Sequence, residues 1–273
     1  MLLLAGVCAI AYPFLAMWLS DRAAGEFTAA YDEAVAQADE EEVHRAWDSA
    51  VAYNENLAGD PVHDPFLEGS GMVLGDDYEN LLDLDGSGVM GHVSVPKTGM
   101  DLPIYHGTSD ASLRRGAGHL EGSSLPVGGA GAHAVLTGHS GLVGARLFSD
   151  LDKLACGDRF YVTVLGTRMA YEVDEISVVE PDDVSGLRRV DGEDLCTLVT
   201  CTPYGVNSHR LLVRGHRAAD DAAGEAPDAG TGPAGDDGTE RVLDALRIAV
   251  GAGAAAVMVI RGCGRRKEVK MRP

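Results

Sequence analysis

Residues 195–215 of the chain read LCTLVTCTPYGVNSHRLLVRG, and this stretch decides the fold. Two short apolar runs, Leu195 to Thr200 and His209 to Val213, flank a turn that contains Pro203 and Gly205. Short β-rich runs bounded by turn residues are typical of β-strands. Cys201 ends the first run, and a strand end that opens into a loop is where a barrel exposes a reactive side chain.

Upstream of this stretch, five more short runs of apolar or alternating residues have the same pattern. They are His92 to Pro96, Leu102 to Tyr105, Ala132 to Thr137, Arg159 to Leu165 and Ala170 to Val179. Gly, Pro and Asp bound them, and a helix-compatible stretch lies near Leu142 to Leu154. We therefore predict a mainly β fold, a closed or nearly closed barrel of seven to eight strands, since closure removes exposed edges.

The segment before the barrel is of a different kind. From Glu26 to Leu57 the chain is rich in Ala and acidic residues, with apolar side chains such as Val43 and Trp47 at helical spacing. Helices are expected here. After them, Asp-Pro pairs at residues 60–61 and 64–65 predict a loop. After the barrel, residues 218–240 have little to bury and predict a flexible linker.

The first residues predict a membrane anchor. Leu2 to Leu19 is free of charged residues, and a helix of about 18 residues nearly spans a bilayer core of roughly 30 Å. A cleaved signal peptide is the alternative, but no basic residue precedes the run. The missing basic flank leaves open a natural start upstream of Met1.

A second, weaker span is predicted at Val242 to Ile260, with a buried soluble helix as the alternative. The tail that follows is basic, as a cytoplasmic flank would be. Its cations are Arg261, Arg265, Arg266, Lys267, Lys270 and Arg272. Two spans would leave both termini inside and the domain between them on the extracellular face.

Charge excludes one class of partner. The chain has 42 Asp and Glu against 22 Lys and Arg, a net charge of −20. It offers no broad basic surface for phosphates, so we predict no nucleic-acid binding.

Three cysteines, Cys156, Cys196 and Cys201, lie in the predicted outer domain. Because this number is odd, they cannot all pair with one another in disulfides. Cys196 is expected to behave as a small buried hydrophobe. Cys201, at its strand end, is the candidate nucleophile.

A cysteine thiol is mostly neutral at physiological pH, so a cysteine nucleophile needs a cation or an imidazole nearby. His139 is the best histidine, because it follows the β-run Ala132 to Thr137 at another strand-to-loop junction. Acyl transfer also needs a donor for the oxyanion, a role that suits Arg210 or Arg214. Both arginines alternate with Leu211 and Val213, which we expect to enter the core.

Residues 197–215 resemble the cysteine motif of sortases, and specifically of class C, the pilin-polymerising group. The resemblance covers roughly His92 to Arg217 and includes Leu102 to Thr108, Ser124 to Gly129 and Thr137-Gly138-His139. Ser140 and Ser208 depart from the pattern, where the group commonly has Arg and Thr.

The resemblance implies a sortase-like barrel in which His139, Cys201 and Arg210 are the catalytic residues. It further implies that the Cys201 thiolate attacks the Thr carbonyl of an LPxTG-like sorting signal and that a pilin Lys amine resolves the acyl-enzyme. Asp64-Pro65-Phe66 resembles the class C lid motif, in which the carboxylate pairs with the catalytic Arg and the ring covers the sulfur. The implied partners are pilins or other surface proteins with LPxTG-like signals, and the membrane.

The predicted organisation has seven parts. They are a transmembrane anchor at 1–20, a helical region at 21–58, a lid loop at 59–80, the barrel at 81–217, an acidic linker at 218–241, a transmembrane helix at 242–260 and a basic tail at 261–273. We expect no cofactor or metal, while Ca²⁺ dependence stays open. Two other functions also stay open, a sortase that uses a peptidoglycan-precursor amine and a non-catalytic adhesion barrel.

Overall fold

In a computed structural model of the chain, residues 2–57, 66 and 78–219 are described. The predicted linker beyond residue 219, the second membrane span and the basic tail lie outside these ranges, as does Asp64 of the predicted lid.

Eight strands form a closed barrel. They are β1 (Val89–Val95), β2 (Met100–His106), β3 (Ala117–His119), β4 (Ala132–Thr137), β5 (Arg159–Val164), β6 (Thr167–Val179), β7 (Asp194–Thr202) and β8 (His209–Arg217). Their order around the barrel is β1-β2-β3-β4-β7-β8-β6-β5, and β5 pairs with β1 to close it. The pairs β2–β3 and β4–β7 are parallel, and the other neighbours are antiparallel. The predicted closed barrel is confirmed.

The barrel interior is filled by alternate residues of the strands, as the two-residue period of a strand requires. On β8, Leu211 and Val213 enter this core as predicted, and Cys196 on β7 is fully buried there. The rings of Phe160 and Tyr171 stack with their centroids 5.5 Å apart.

Three α-helices accompany the barrel: α1 (Leu2–Gln37), α2 (Glu40–Asn56) and α3 (Asp110–Leu113). The predicted N-terminal helices are therefore present. The acidic run Glu40 to Glu42 is exposed in the first turn of α2, where negative charge faces the positive end of the helix dipole.

Tyr31 links α1 to the barrel through two hydrogen bonds. Its side chain is only 1% exposed, and its hydroxyl donates to the Met90 carbonyl and accepts from the Leu165 N–H, each at 3.0 Å. Burial raises the pKa of Tyr31, so the hydroxyl stays protonated and able to donate. One phenol thus links α1 to β1 and to the turn between β5 and β6.

Among residues 2–57, 66 and 78–219, no helix has the length and apolar character needed to cross a membrane. The spans at residues 1–20 and 242–260 stay predictions.

One local expectation was wrong, and one strand was missed. The stretch Leu142 to Leu154 is not an α-helix and contains only a 3₁₀ turn at Leu151–Lys153. Positive φ angles at Gly141, Gly144 and Leu147 interrupt the right-handed helical backbone. The third strand, Ala117–His119, was missed as a strand because three residues carry too little alternation to be recognised.

Candidate functional site

His139 lies two residues beyond the end of β4, and Cys201 is the last residue but one of β7, the neighbouring parallel strand. Thr137 of β4 pairs with Val199 of β7, and the Gly138 N–H donates to the Val199 carbonyl at 3.1 Å. The Thr200 hydroxyl then donates to the Gly138 carbonyl at 2.7 Å, which holds the two chains together for one more residue. When the same register is extended by two residues, His139 lies opposite Cys201. Both side chains then lie on the same face of the sheet as the side chain of Val199.

Arg210 reaches the same place from the other side of β7. It is the direct partner of Cys201 in the antiparallel β7–β8 ladder. The connecting turn closes where the N–H groups of Val206 and Asn207 both donate to the Pro203 carbonyl, and Asn207 has a left-handed backbone with φ 59°. The turn therefore folds Arg210 back beside Cys201.

The Arg210 side chain is held in a defined position. The residue is 8% exposed, and its Nη1 donates to the carbonyl oxygens of Asn207 and His209 at 3.3 and 3.2 Å. These bonds leave a permanently charged guanidinium at the end of β7, the charge type that stabilises a developing oxyanion.

Phe66 lies between the histidine and the arginine. Its ring centroid is 5.9 Å from that of His139 and 5.0 Å from the Arg210 guanidinium carbon. Below, the ring packs on a cluster that we call the outer apolar cluster. This cluster consists of Leu120, Val135, Leu187, Val199 and Leu212, with Val179 and Val184 packed against it. The structure thus brings together four of the five predicted site residues, the fifth being Asp64, which is not among the described residues.

Two charged neighbours set the electrostatics of His139. Burial lowers the pKa of His139, the negative charge of Asp110 opposes this, and Arg114 adds to the lowering. The His139 Nε2 lies 3.8 Å from Asp110 Oδ1. The net direction keeps the imidazole neutral near neutral pH, in the form that accepts a proton from a thiol.

The other candidates lie elsewhere. Arg214 donates to both Asp174 oxygens at 3.1 and 2.7 Å and lies 3.0 Å from Glu175, so it is bound to β6. Cys196 is fully buried in the core, and burial raises the pKa of its thiol. Cys156 is half-buried with its Sγ 3.5 Å from the Asp174 carbonyl.

Sequence reasoning missed Asp110. The residue begins a four-residue helix, which is too short to show helical periodicity. The available signal was local, because Ser109 precedes it as an N-cap and accepts from the Ser112 N–H.

Comparisons with known proteins identify the family of this barrel. The family model described as the sortase domain matches residues 93–218. Sortase A of Bacillus anthracis is 33% identical over 132 residues, 48% of this chain and 61% of that protein. The chain spans less than two thirds of the length of the curated relatives it matches.

Solved structures match over a larger share of the chain. Sortase C of Streptococcus pneumoniae is 46% identical with a TM-score of 0.66, covering 71% of this chain and 96% of that one. Sortase C-1 of Actinomyces oris is 49% identical with a TM-score of 0.61, covering 64% of this chain and 98% of that one. On the strength of the family model, these identities and the shared barrel, the chain belongs to the sortase family, within its class C group.

Proposed function

We propose that this chain is a pilin-polymerising transpeptidase. The observation that carries the proposal is the meeting of His139, Cys201 and Arg210 at the ends of β4, β7 and β8. A nucleophile, a base and a fixed cation within one site meet the three requirements of acyl transfer.

In the proposed reaction, His139 takes the proton of the Cys201 thiol, and the thiolate attacks the Thr carbonyl of an LPxTG-like signal. Arg210 stabilises the oxyanion of the tetrahedral intermediate. The C–N bond to Gly then breaks as His139 returns the proton to the leaving amine, and a thioester remains on Cys201. A neutral pilin Lys amine attacks this thioester, the C–S bond breaks with the sulfur leaving as thiolate, and an isopeptide bond remains once the neutral His139 has taken the proton that the amine nitrogen loses.

The proposal includes the lid motif. The Phe66 ring lies against both His139 and Arg210, so we propose that a substrate backbone displaces this ring to reach Cys201. We propose that Asp64 pairs with Arg210 and that Phe66 covers Cys201 until the substrate displaces them. A ring beside sulfur contributes about 0.3–1.5 kcal/mol, which is weak enough for displacement.

The proposal also includes anchoring in the cell membrane with the barrel on the extracellular face. Its support is the uncharged run Leu2 to Leu19 in the sequence. On α1, Tyr12, Phe14, Leu15, Trp18 and Leu19 are 51–65% exposed, and lipid would cover such apolar side chains.

The test of the activity uses a peptide with an LPxTG-like signal and two acceptors, a pilin segment containing the acceptor Lys and a wall-peptide amine. We expect an isopeptide product with the pilin segment, none with Cys201→Ala, and normal product with the matched variant Cys156→Ala. Preference for the wall-peptide amine would support a wall-anchoring sortase instead. Product from Cys201→Ala would refute the cysteine mechanism.

A further inference from the structure

Asp110 brings a carboxylate to the imidazole of His139. The His139 Nε2 and the Asp110 Oδ1 are 3.8 Å apart, and the two side chains are 26% and 57% exposed. The contact is long-range in sequence, because α3 lies between β2 and β3 while His139 follows β4.

Two bonds fix the position of this carboxylate. Ser109 caps α3 by accepting from the Ser112 N–H at 3.1 Å, which sets the direction of the first turn. Arg114, one turn later, donates from Nε to the Asp110 Oδ2 at 2.7 Å. The second oxygen is thus held by Arg114, and Oδ1 is the one turned to His139.

The helix α3 packs against the barrel. Leu113 is 2% exposed, and a Cβ at Gly118 of β3 would come within 2.5 Å of the Gly107 carbonyl and 2.9 Å of the Leu113 Cδ2. The Gly107 carbonyl, in the loop that leads into α3, requires glycine at this position of β3, and the Leu113 side chain of α3 packs beside it. The carboxylate is therefore presented by a packed element.

We propose that Asp110 is a positioning residue that orients the His139 imidazole and favours its protonated form. This inference rests on the proposed function, in which His139 must carry a proton to the leaving amine. Its imidazolium would be destabilised in a half-buried site, and a neighbouring carboxylate offsets this cost.

The ionisable groups at the His139 site come from α3, from the residue that caps it and from two strands. Asp110 belongs to α3 and Arg114 is its C-cap residue, while Cys201 of β7 and Arg210 of β8 are paired and Phe66 contacts both His139 and Arg210. Burial lowers the pKa of His139, Asp110 opposes the lowering and Arg114 reinforces it. Changes to Asp110 and to Arg114 should therefore move the titration of His139 in opposite directions.

The first measurement is an NMR titration of the full chain labelled at its histidines. We expect Asp110→Asn to lower the titration midpoint of His139 and Arg114→Gln to raise it. A purely structural role of α3 would shift both variants in the same direction. The matched control is Glu40→Gln, which removes a carboxylate 3.8 Å from the His44 Nε2 on α2 and should leave His139 unchanged.

The second measurement is steady-state transpeptidation with a sorting-signal peptide. Asp110→Asn should lower kcat about tenfold with little change in KM, because Asp110 acts through His139 and does not touch substrate. Asp110→Glu should restore most of the activity.

An unchanged His139 titration midpoint together with a kcat within twofold of wild type in Asp110→Asn would overturn the inference. If Asp110→Asn does not fold, the variant Arg114→Gln decides the question. A His139 titration midpoint that falls or stays the same in Arg114→Gln would then overturn the inference. The two proposals fail on different results. Transpeptidation by Cys201→Ala would refute the proposed cysteine mechanism. The NMR midpoints would still report the pairing of Asp110 with His139.

Discussion

At the scale of single residues, Arg210 and Arg214 show how neighbours decide the role of a side chain. They lie four positions apart on β8, with the same strand parity. Arg214 is bound by two acidic residues of β6, whereas Arg210 lies opposite Cys201 with its guanidinium beside Phe66. The sequence alone left both as candidates for the oxyanion, and the spacing of the family motif favoured Arg210.

Replacing Arg210 with Lys tests this assignment. We expect kcat for transpeptidation to fall about 100-fold, because an ammonium keeps the charge but lacks the planar fork of donors. The matched variant Arg214→Lys should keep kcat near wild type. Equal losses in the two variants would contradict a special role for Arg210.

Phe66 is the second residue with a measurable role. Removing its ring should expose the site, so Phe66→Ala should raise the rate of Cys201 alkylation about fivefold, a change of about 1 kcal/mol in line with ring–cation and ring–sulfur contacts. The rate is read by mass spectrometry of Cys201 after timed treatment with iodoacetamide. Phe27→Ala, on α1, is the control that should leave it unchanged, and an unaltered rate in Phe66→Ala would exclude the covering role.

At the scale of elements, α1 is joined to the barrel by a histidine between two carboxylates. The Nδ1 of His92 on β1 is 3.0 Å from Asp101 on β2, and its Nε2 is 3.6 Å from Asp32 on α1. Burial alone would lower the pKa of His92, but the hydrogen bond and charge of Asp101, with the charge of Asp32, outweigh it and raise the pKa.

This raised pKa predicts a pH-dependent stability. The imidazolium stabilises the fold below the pKa of the unfolded chain, and the contribution is lost as the pH rises through the folded-state pKa. We expect His92→Gln to lower the free energy of unfolding by up to about 1 kcal/mol at about pH 5.5 and to have little effect at about pH 8.5. Urea unfolding at the two pH values measures this, with His44→Gln on α2 as the control. A loss that is the same at both values would show that His92 acts only through packing.

At the scale of the whole molecule, the described part of α1 divides into a half with exposed apolar residues and a half docked on the barrel. Leu15 and Trp18 are more than half exposed, whereas Ala24 and Tyr31 are buried. The barrel therefore depends on the second half for its packing.

Truncation separates the two halves. A chain that starts at Asp21 should keep the thermal unfolding midpoint of the full chain within a few degrees. A chain that starts at Ala38 should unfold at a lower temperature, because it loses the buried side chains of Ala24 and Tyr31 and the two hydrogen bonds of Tyr31, at about 0.5–1.5 kcal/mol for each bond. Differential scanning calorimetry measures the midpoints. Equal midpoints for the two truncations would contradict the role of Tyr31.

The fold was predictable from sequence to the extent that its elements have a regular pattern. Long apolar or alternating runs such as Ala132 to Thr137 became strands, and the turn after Cys201 was visible in Pro203 and Gly205. The three residues of β3 and the four of α3 were too short for any periodicity, and Asp110 was missed with α3. The failed helix at Leu142 to Leu154 has another cause, because Gly141, Gly144 and Leu147 take positive φ angles there; glycine favours this conformation, whereas nothing in the residue type of Leu147 indicates it.

The parallel pairing of β4 with β7 has a consequence for the order of events during folding. Gly138 and Thr200 are 62 positions apart, so the hydrogen bond between them closes a long segment of chain that contains β5 and β6. His139 and Cys201 come together only when this long-range contact has formed. In a chain that has not yet folded, the same cysteine lacks its activating imidazole and is a poorer nucleophile.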